Sequence, residues 1–354
     1  MTGSACGQPG FTPCSPVRPS GDNWRCETAR VQVDAPTTIP GHRRLTVGRG
    51  PADRAWRGVI ASGAFVSLAI LALIAAFLLF RGFQVLADSG LSFITSSTWD
   101  AGDGTRGGGS FGVAAMLVGS LVVALIAIVI AVPFAVLASL FLEYYAPRRL
   151  RTLLVSVLDL VAAIPSVVYG MWGYAVLMPH AMGWSRALND WFGWFPLFDV
   201  PAPFFERSPF IAGILLSLMI LPITTSVTRE VYSQAPRDQI DAAYGLGATK
   251  WGALRTVVLP FGRSGLVGGA MLGLGRALGE TVAVYLVLNL VFKINLQILA
   301  SAGGNVASLI ATRFGEAGAY ELKALMAAGL VLFLLTLTVN AIATVIVNRS
   351  RGAR

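Results

Sequence analysis

Charge is scarce in this 354-residue sequence: Asp, Glu, Lys and Arg make up 13% of it, about half of the ~25% usual in a soluble globular domain. Apolar side chains take their place, at 55% of the total, and mean hydropathy is +0.68. That balance excludes a water-soluble enzyme and a disordered hub. Histidine is nearly absent; His42 and His180 are isolated, and no His/Cys/carboxylate cluster offers a metal site. The only cysteines, Cys6, Cys14 and Cys26, match no zinc spacing, and their odd number argues against a disulfide framework. They read as free thiols in a reduced compartment. No Gly-x-x-x-x-Gly-Lys-[Ser/Thr] loop is present to cradle a nucleotide phosphate, and no nucleophile–base pair suggests hydrolysis. The N-terminus lacks the apolar core of a signal peptide.

What the sequence does have is long apolar runs. Residues 1–56, rich in Pro, Gly, Thr and Arg, show no apolar period and are expected to form a disordered cytoplasmic tail. Six apolar segments follow, at about 59–80, 112–142, 153–178, 210–228, 265–290 and 324–347. Each approaches or exceeds the ~20 residues that cross ~30 Å of hydrocarbon at 1.5 Å per residue. None alternates as a barrel strand would. The expectation is an all-α integral membrane protein with six transmembrane helices in a domain spanning 57–350, followed by a short C-terminal tail at 351–354.

The net charge of +9 lies mainly in short loops beside these runs rather than in a patch suited to nucleic acid. Sixteen Lys and Arg flank the spans on one side and seven on the other, an asymmetry that predicts both termini inside. The outer loop at 179–209 holds Trp184, Trp191 and Trp194 and several phenylalanines among Pro and Gly. Such aromatic density suits the lipid–water interface or a docking surface.

The cytoplasmic loop at 229–264 contains Asp241-Ala242-Ala243-Tyr244-Gly245-Leu246-Gly247 and, eleven residues further on, Leu259-Pro260. Asp241 is expected to open a short helix whose small face, Ala242 and Ala243, admits close contact with a partner, and Gly247 can end it in the left-handed conformation. A second amphipathic turn then runs from Trp251 to Pro260. Taken alone, the same pattern also fits a solvated connector.

The spacing resembles the EAA loop of ABC importer permeases, with Gly247 at the motif's glycine and Leu259-Pro260 at its end; Asp241 stands where the family usually has Glu. Two further segments, Ala163-Ile-Pro-Ser-Val-Val-Tyr-Gly-Met-Trp-Gly173 and Gly273-Leu-Gly-Arg-Ala-Leu-Gly-Glu-Thr281, are similar to the C-type permease of high-affinity phosphate importers. So are Ser97-Thr-Trp-Asp100, Ala307-Ser-Leu-Ile-Ala311 and Phe314-Gly-Glu-Ala317, and the likeness covers roughly residues 57–350. The resemblance implies the type I ABC importer permease fold in a prokaryotic inner membrane. It implies a coupling helix seated on a separate ATPase, present in two copies, which holds the ATP and Mg2+; this chain itself binds no cofactor. It further implies a similar A-type permease as the other half of the pathway and an extracytoplasmic phosphate-binding protein; lipid surrounds the chain and no nucleic acid is involved.

The fifth run carries its own signal. Gly265, Gly269 and Gly273 lie four apart, as do Gly275 and Gly279, which suits close helix packing. Arg276 and Glu280 fall in the same run, and a charge at mid-membrane costs about 2.5–3.5 kcal/mol on insertion scales. At i, i+4 on one helix they share a face, either as an ion pair that tethers helices or as a pathway site. In the second reading, Arg276 attracts phosphate through its planar fork of donors and Glu280 tempers its grip. Pro165 and Gly170 are expected to kink or break the third span, so that Ser166 and Tyr169 line a pore or simply pack. The phosphate-permease resemblance favours the pathway role for Arg276 and Glu280, since both belong to its motif. Two other functions share parts of this pattern: a permease for sulfate or molybdate, and an ion-gradient carrier using Arg276 and Glu280 as a proton relay. The second would show inverted repeats, which the sequence lacks, and would need no ATPase-docking loop.

Overall fold

The computed structural model describes residues 50–102, 109–200, 204–301 and 303–352, with backbone alone for 51, 52, 54 and 346–352. The expected tail at 1–56, with Cys6, Cys14 and Cys26, lies outside the described residues up to 49; from Pro51 the chain is already helical. The chain divides into two units, Met1–Ala61 and Ser62–Arg354. Of the first, the described residues are the opening turns of helix α1 (Pro51–Ser89).

After α1 come α2 (Ser92–Thr95) and a two-stranded antiparallel ribbon, β1 (Trp99–Asp100) with β2 (Ser110–Phe111), in which Trp99 faces Phe111. Helix α3 (Ala114–Leu140) continues through a π-helical turn at Phe141–Tyr145. Then α4 (Arg148–Ala163) is followed by α5 (Ser166–Trp172), a second π turn (Gly173–Leu177) and α6 (Met178–Phe192). Helix α7 (Pro209–Ser233) precedes the short α8 (Arg237–Gly245) and α9 (Lys250–Ala253). A third π turn (Leu254–Val258) leads into α10 (Leu259–Gly279), and α11 (Val282–Val287), α12 (Val306–Arg313) and α13 (Ala319–Gly352) complete the chain.

Among the described residues, five helical stretches are long and apolar enough to cross a membrane: Ala55–Ser89, Ala114–Tyr145, Pro209–Ser233, Lys250–Gly279 and Ala319–Val345. A sixth crossing arises if Arg148–Ala163 and Ser166–Phe192, which meet at 92°, form one broken span. The third run is therefore not a single helix over 153–178. Ile164 and Pro165 are both extended, with ψ of 130° and 142°, because a residue before proline is pushed out of the helical region. The aromatic segment expected to be a loop from 179 is helical as far as Phe192. The fifth run ends at Gly279 rather than near 290.

The core explains why α3 and α7 pack so closely. Ala124, Ala127, Ala131 and Ala135 are fully buried and recur every three or four residues along α3, forming a small-residue stripe of the kind that draws membrane helices together. A Cβ on Gly213 of α7 would strike Ile126 of α3. Helix α10 reaches α7 through its own glycines: a Cβ at Gly265 would collide with Val231, one at Gly269 would sit 3.2 Å from the Thr224 carbonyl, and one at Gly273 would sit 3.0 Å from the Thr224 hydroxyl. Thr224 Oγ1 donates to the Gly269 carbonyl at 3.3 Å. The second glycine pair differs from expectation, because Gly275 and Gly279 meet no neighbour within 4 Å. They face a cavity of about 450 Å³ shared with Leu78 and with Gly329, Thr336 and Asn340 of α13.

At one end of this unit a second cluster gathers the ribbon. Trp99 stacks on Phe292 at 6.2 Å and meets Phe111 edge-on at 5.0 Å. Its indole N–H donates to the buried Glu321 carboxylate at 2.9 Å, supplying that charge with a hydrogen bond. Tyr320 donates to Asp88 at 3.0 Å and Lys323 to Gln84 at 2.7 Å, so α13 is fastened to the end of α1.

The two glycine faces of α10 should respond oppositely to a methyl group. Gly262→Ala drives its Cβ into the ring of Tyr232, which is fully buried and cannot swing away. It should cost about 1–3 kcal/mol, lowering the thermal midpoint of the detergent-solubilised protein. Gly275→Ala meets only the cavity and should be neutral or raise stability by up to about 1 kcal/mol; equal midpoints for the two variants would contradict this packing.

Candidate functional site

The fifth membrane helix stops one residue before a charge. Glu280 adopts extended geometry (φ −71°, ψ 127°), and the chain resumes as α11 two residues later. Backbone broken at membrane depth must be satisfied within the protein, and two side chains do this. Asn305 Nδ2 donates to the Glu280 carbonyl at 2.7 Å, and the Glu280 carboxylate accepts from the Ala283 N–H at 3.4 Å, capping the start of α11. Asn305 is itself locked by a capping box at the head of α12, where its Oδ1 accepts from the Ser308 N–H at 2.7 Å. The Val306 N–H in turn donates to Ser120 Oγ of α3 at 3.1 Å.

This geometry corrects the single-helix placement of Arg276 and Glu280. The helix does not continue past Glu280, and no ion pair joins the two groups among the described residues. Glu280 is buried and turned to α11, whereas Arg276 is exposed. Arg276 occupies the last turn of α10, where unpaired carbonyls favour a cation. Both the tether and the proton relay required the two groups to meet directly.

Tyr169 and Ser166 lie on α5, just past the Pro165 break. The Tyr169 hydroxyl donates to the Val161 carbonyl at 2.9 Å, so it spans the break and satisfies one of the last carbonyls of α4. Its proton is committed there, leaving its oxygen as an acceptor. No hydrogen bond or ion pair joins Tyr169 to Arg276 among the described residues. Ser166 is half-buried in the first turn of α5. Gly170 permits the approach of α11, since a Cβ there would lie 3.0 Å from the Ala283 Cα.

The segment expected to dock on the ATPase is a separate module at the other end of α10 and α7. Asp241 sits in the middle of α8 rather than opening it; the first-turn acid is Asp238. Gly247 has φ +85°, its N–H donates to the Tyr244 carbonyl at 2.9 Å, and the Ala248 N–H donates to the Ala243 carbonyl at 3.0 Å. These two bonds form a Schellman motif, whose left-handed position favours glycine. Thr249 then caps the next helix through Gly252 N–H at 3.1 Å. That helix does not end at Pro260. The π turn at Leu254–Val258 absorbs the proline near the start of α10, and the helix runs on to Gly279. Ile240, Ala253, Leu254 and Val258 bury one face against Leu140 and Tyr232. The tip stays exposed, with Leu246 at 90% and Trp251 at 51%. Ala242 is exposed and Ala243 half-buried, while Leu259 and Pro260 are half-buried at the root.

Sequence reading missed Asn305 as the residue that closes the break, although Asn305-x-x-Ser308 is a legible capping signal. It also missed the Glu143–Arg151 ion pair at 2.6 Å, which ties the π turn after α3 to α4.

Comparison with known proteins bears on this arrangement. Residues 131–352 match the family described as binding-protein-dependent transport system inner membrane component. A Mycobacterium tuberculosis protein named phosphate transport system permease protein PstC 2 is 42% identical over 89% of this chain and 98% of its own length. Phosphate transport system permease protein PstC of Xylella fastidiosa is 37% identical over 88% of this chain and 95% of its own. A Methanocaldococcus jannaschii protein, named a probable phosphate transport system permease protein PstC, is 35% identical over 81% and 91% respectively.

Asn305→Leu removes the amide that satisfies the Glu280 carbonyl while keeping similar bulk. The unpartnered buried carbonyl should cost about 1–3 kcal/mol, read as a lower thermal midpoint in detergent. An unchanged midpoint would show that the break does not depend on Asn305.

Proposed function

The chain belongs to the binding-protein-dependent transport permeases, and from that premise we propose that it is the phosphate permease subunit of an ATP-driven importer. It is a multi-pass inner-membrane transport subunit rather than an enzyme. The observation that carries the choice of cargo is the 35–42% identity to phosphate permeases over most of both chains. Arg276 supports it chemically, because a guanidinium with no carboxylate partner among the described residues offers donors that match phosphate oxygens.

In this reading the chain forms half of the pathway, and a similar A-type permease forms the other half. An extracytoplasmic binding protein delivers phosphate. Two copies of a separate ATPase subunit hold ATP and Mg2+, and both termini of this chain face the cytoplasm. Arg276 receives the anion, Glu280 limits how tightly it is held from across the helix break, and Ser166 and the Tyr169 oxygen border the route. The carboxylate acts through space, since no ion pair joins it to Arg276 among the described residues and one of its oxygens accepts from the Ala283 N–H.

The α8–α9 module is the coupling element. Its buried face, from Ile240 to Val258, makes it continuous with α7 and α10, so a push on the exposed tip moves those helices as one body. Asp241, Ala242, Ala243 and Gly247 present that tip, and Leu259-Pro260 roots it in α10.

Two substitutions test the two halves of the proposal in vesicles containing the complete importer. Arg276→Gln should reduce phosphate uptake at least tenfold with assembly intact; normal uptake would remove Arg276 from the pathway. Gly247→Val places a β-branched residue at φ +85° with open space around it, so its cost of about 1–3 kcal/mol is conformational and local. ATP hydrolysis should then proceed with little uptake, whereas unchanged coupling would argue against docking at this tip.

A further inference from the structure

Arg207 is the only non-glycine residue with positive φ among those described, at +50°. Its guanidinium lies over the ring of Tyr174, 5.4 Å from the centroid, and its Nη1 donates to Asn289 Oδ1 at 3.0 Å. No carboxylate comes within 4.0 Å of it among the described residues. The aromatic face and one amide oxygen hold the group in place without neutralising it, and most of its five N–H donors remain available.

Beside it is a cavity of about 180 Å³, lined by Arg207, Tyr285, Leu286, Leu288, Asn289 and Leu290. Four oxygens of roughly water size, at ~30 Å³ each, fit such a volume. Among the side chains that line it, the guanidinium, the Asn289 amide and the Tyr285 hydroxyl can donate, and Asn289 Oδ1 already accepts from Arg207. A wall of donors around one unpaired positive charge selects an anion with several acceptor oxygens.

The position of the cavity links it to the site described above. Tyr174 and Tyr169 lie five residues apart on α5 and its π-helical continuation, about 7.5 Å along the axis at 1.5 Å per residue. Arg207 is stacked on the second of these tyrosines, and Arg276 occupies the last turn of α10, just before the Glu280 break. Helix α11 runs alongside, from the Glu280 break at one end to Asn289 just beyond the other. A guanidinium therefore stands at each end of one short helical pair.

We propose that Arg207, with Asn289 and Tyr285, forms a second binding site for the transported tetrahedral oxyanion, a relay on the same route as Arg276. This deepens the phosphate reading and rests on it. A lipid phosphodiester shares the chemistry, and the site is assigned to the cargo.

The test measures phosphate taken up per ATP hydrolysed by the complete importer in vesicles, at saturating phosphate-loaded binding protein. Arg207→Gln should lower that ratio about tenfold while stimulated ATP hydrolysis stays within twofold of the parent. Arg207→Lys, which keeps the charge, should recover most of it. A ratio within twofold of the parent for Arg207→Gln would overturn the proposal. So would a parallel fall of uptake and hydrolysis, or equal losses in the Gln and Lys variants, since either marks a merely structural side chain. Vesicles of phosphatidylcholine with and without phosphatidylglycerol separate the two sources of phosphate: the same loss in both supports a cargo site, and a loss confined to the anionic vesicles overturns it. If the parent importer carries sulfate or molybdate instead of phosphate, the cargo reading fails, and the same ratio taken with that anion still decides Arg207.

Discussion

The hydrogen bond from Asn305 to the Glu280 carbonyl is the contact on which the central architecture depends. A membrane helix that stops in mid-bilayer exposes backbone groups that hydrocarbon cannot satisfy. Here the stop is allowed because an amide from the head of α12 reaches the broken carbonyl and the Glu280 carboxylate caps the restart. The same break gives α10 a C-terminus inside the domain, and with it a place where Arg276 is favoured by the helix dipole rather than by a counter-ion. Asn305 is tied through Ser308 to its own helix, and the neighbouring Val306 is tied to Ser120 of α3. The break is therefore braced by three elements.

The sequence was most legible where a residue type has one physical meaning. Pro165 announced the break after α4, the 265/269/273 glycines announced close helix packing, which the structure places against α7, and Gly247 announced a left-handed turn. The apolar runs likewise made the all-α membrane class readable. Legibility failed where long-range partners decide the outcome. Nothing near Glu280 forbids a helix through 290, and an i, i+4 Arg–Glu pair looks like helix. Only Asn305, twenty-five residues away, makes the interrupted form affordable. Gly275 and Gly279 resembled a packing face for the same reason: spacing reports a face, and only the neighbouring helix determines whether it is filled. The π turn before Pro260 was also hidden, since the proline read as a stop when considered alone.

The structure also separates stiffness from exposure at the proposed docking end. The α8–α9 module has few residues, yet Leu254 and Val258 are fully buried against Leu140 and Tyr232. Tyr144 Oη donates to the Tyr232 carbonyl at 2.8 Å, and the Lys250 ammonium lies 4.4 Å from the Tyr145 ring centroid. A loop made for solvent would not bury that much apolar surface at its root while leaving Leu246 almost fully exposed at its tip. The arrangement suits an element that must receive a push without bending, and it weakens the alternative of a solvated connector.

Carriage of a phosphate-like anion sets two opposing demands: enough charge to replace lost water, and too little to trap the ion. A close Arg–Glu pair would meet neither, because each partner would satisfy the other and leave the anion nothing to bind. In this chain the Glu280 carboxylate accepts from the backbone of α11, and Arg276 has no carboxylate contact among the described residues. Arg207 is restrained in a different way, by an aromatic ring and a neutral amide. Both arginines thus remain available as cations, Arg276 in the last turn of α10 and Arg207 against Tyr174 and Asn289. In the proposed relay, dividing the attraction between two such groups makes each grip weaker than a single site of the same total strength, so that an anion released by one is still drawn toward the other. On the proposed reading the breaks at Pro165 and Glu280 serve one purpose, since α5 and α11, which begin just past them, pack together through Gly170 and Ala283.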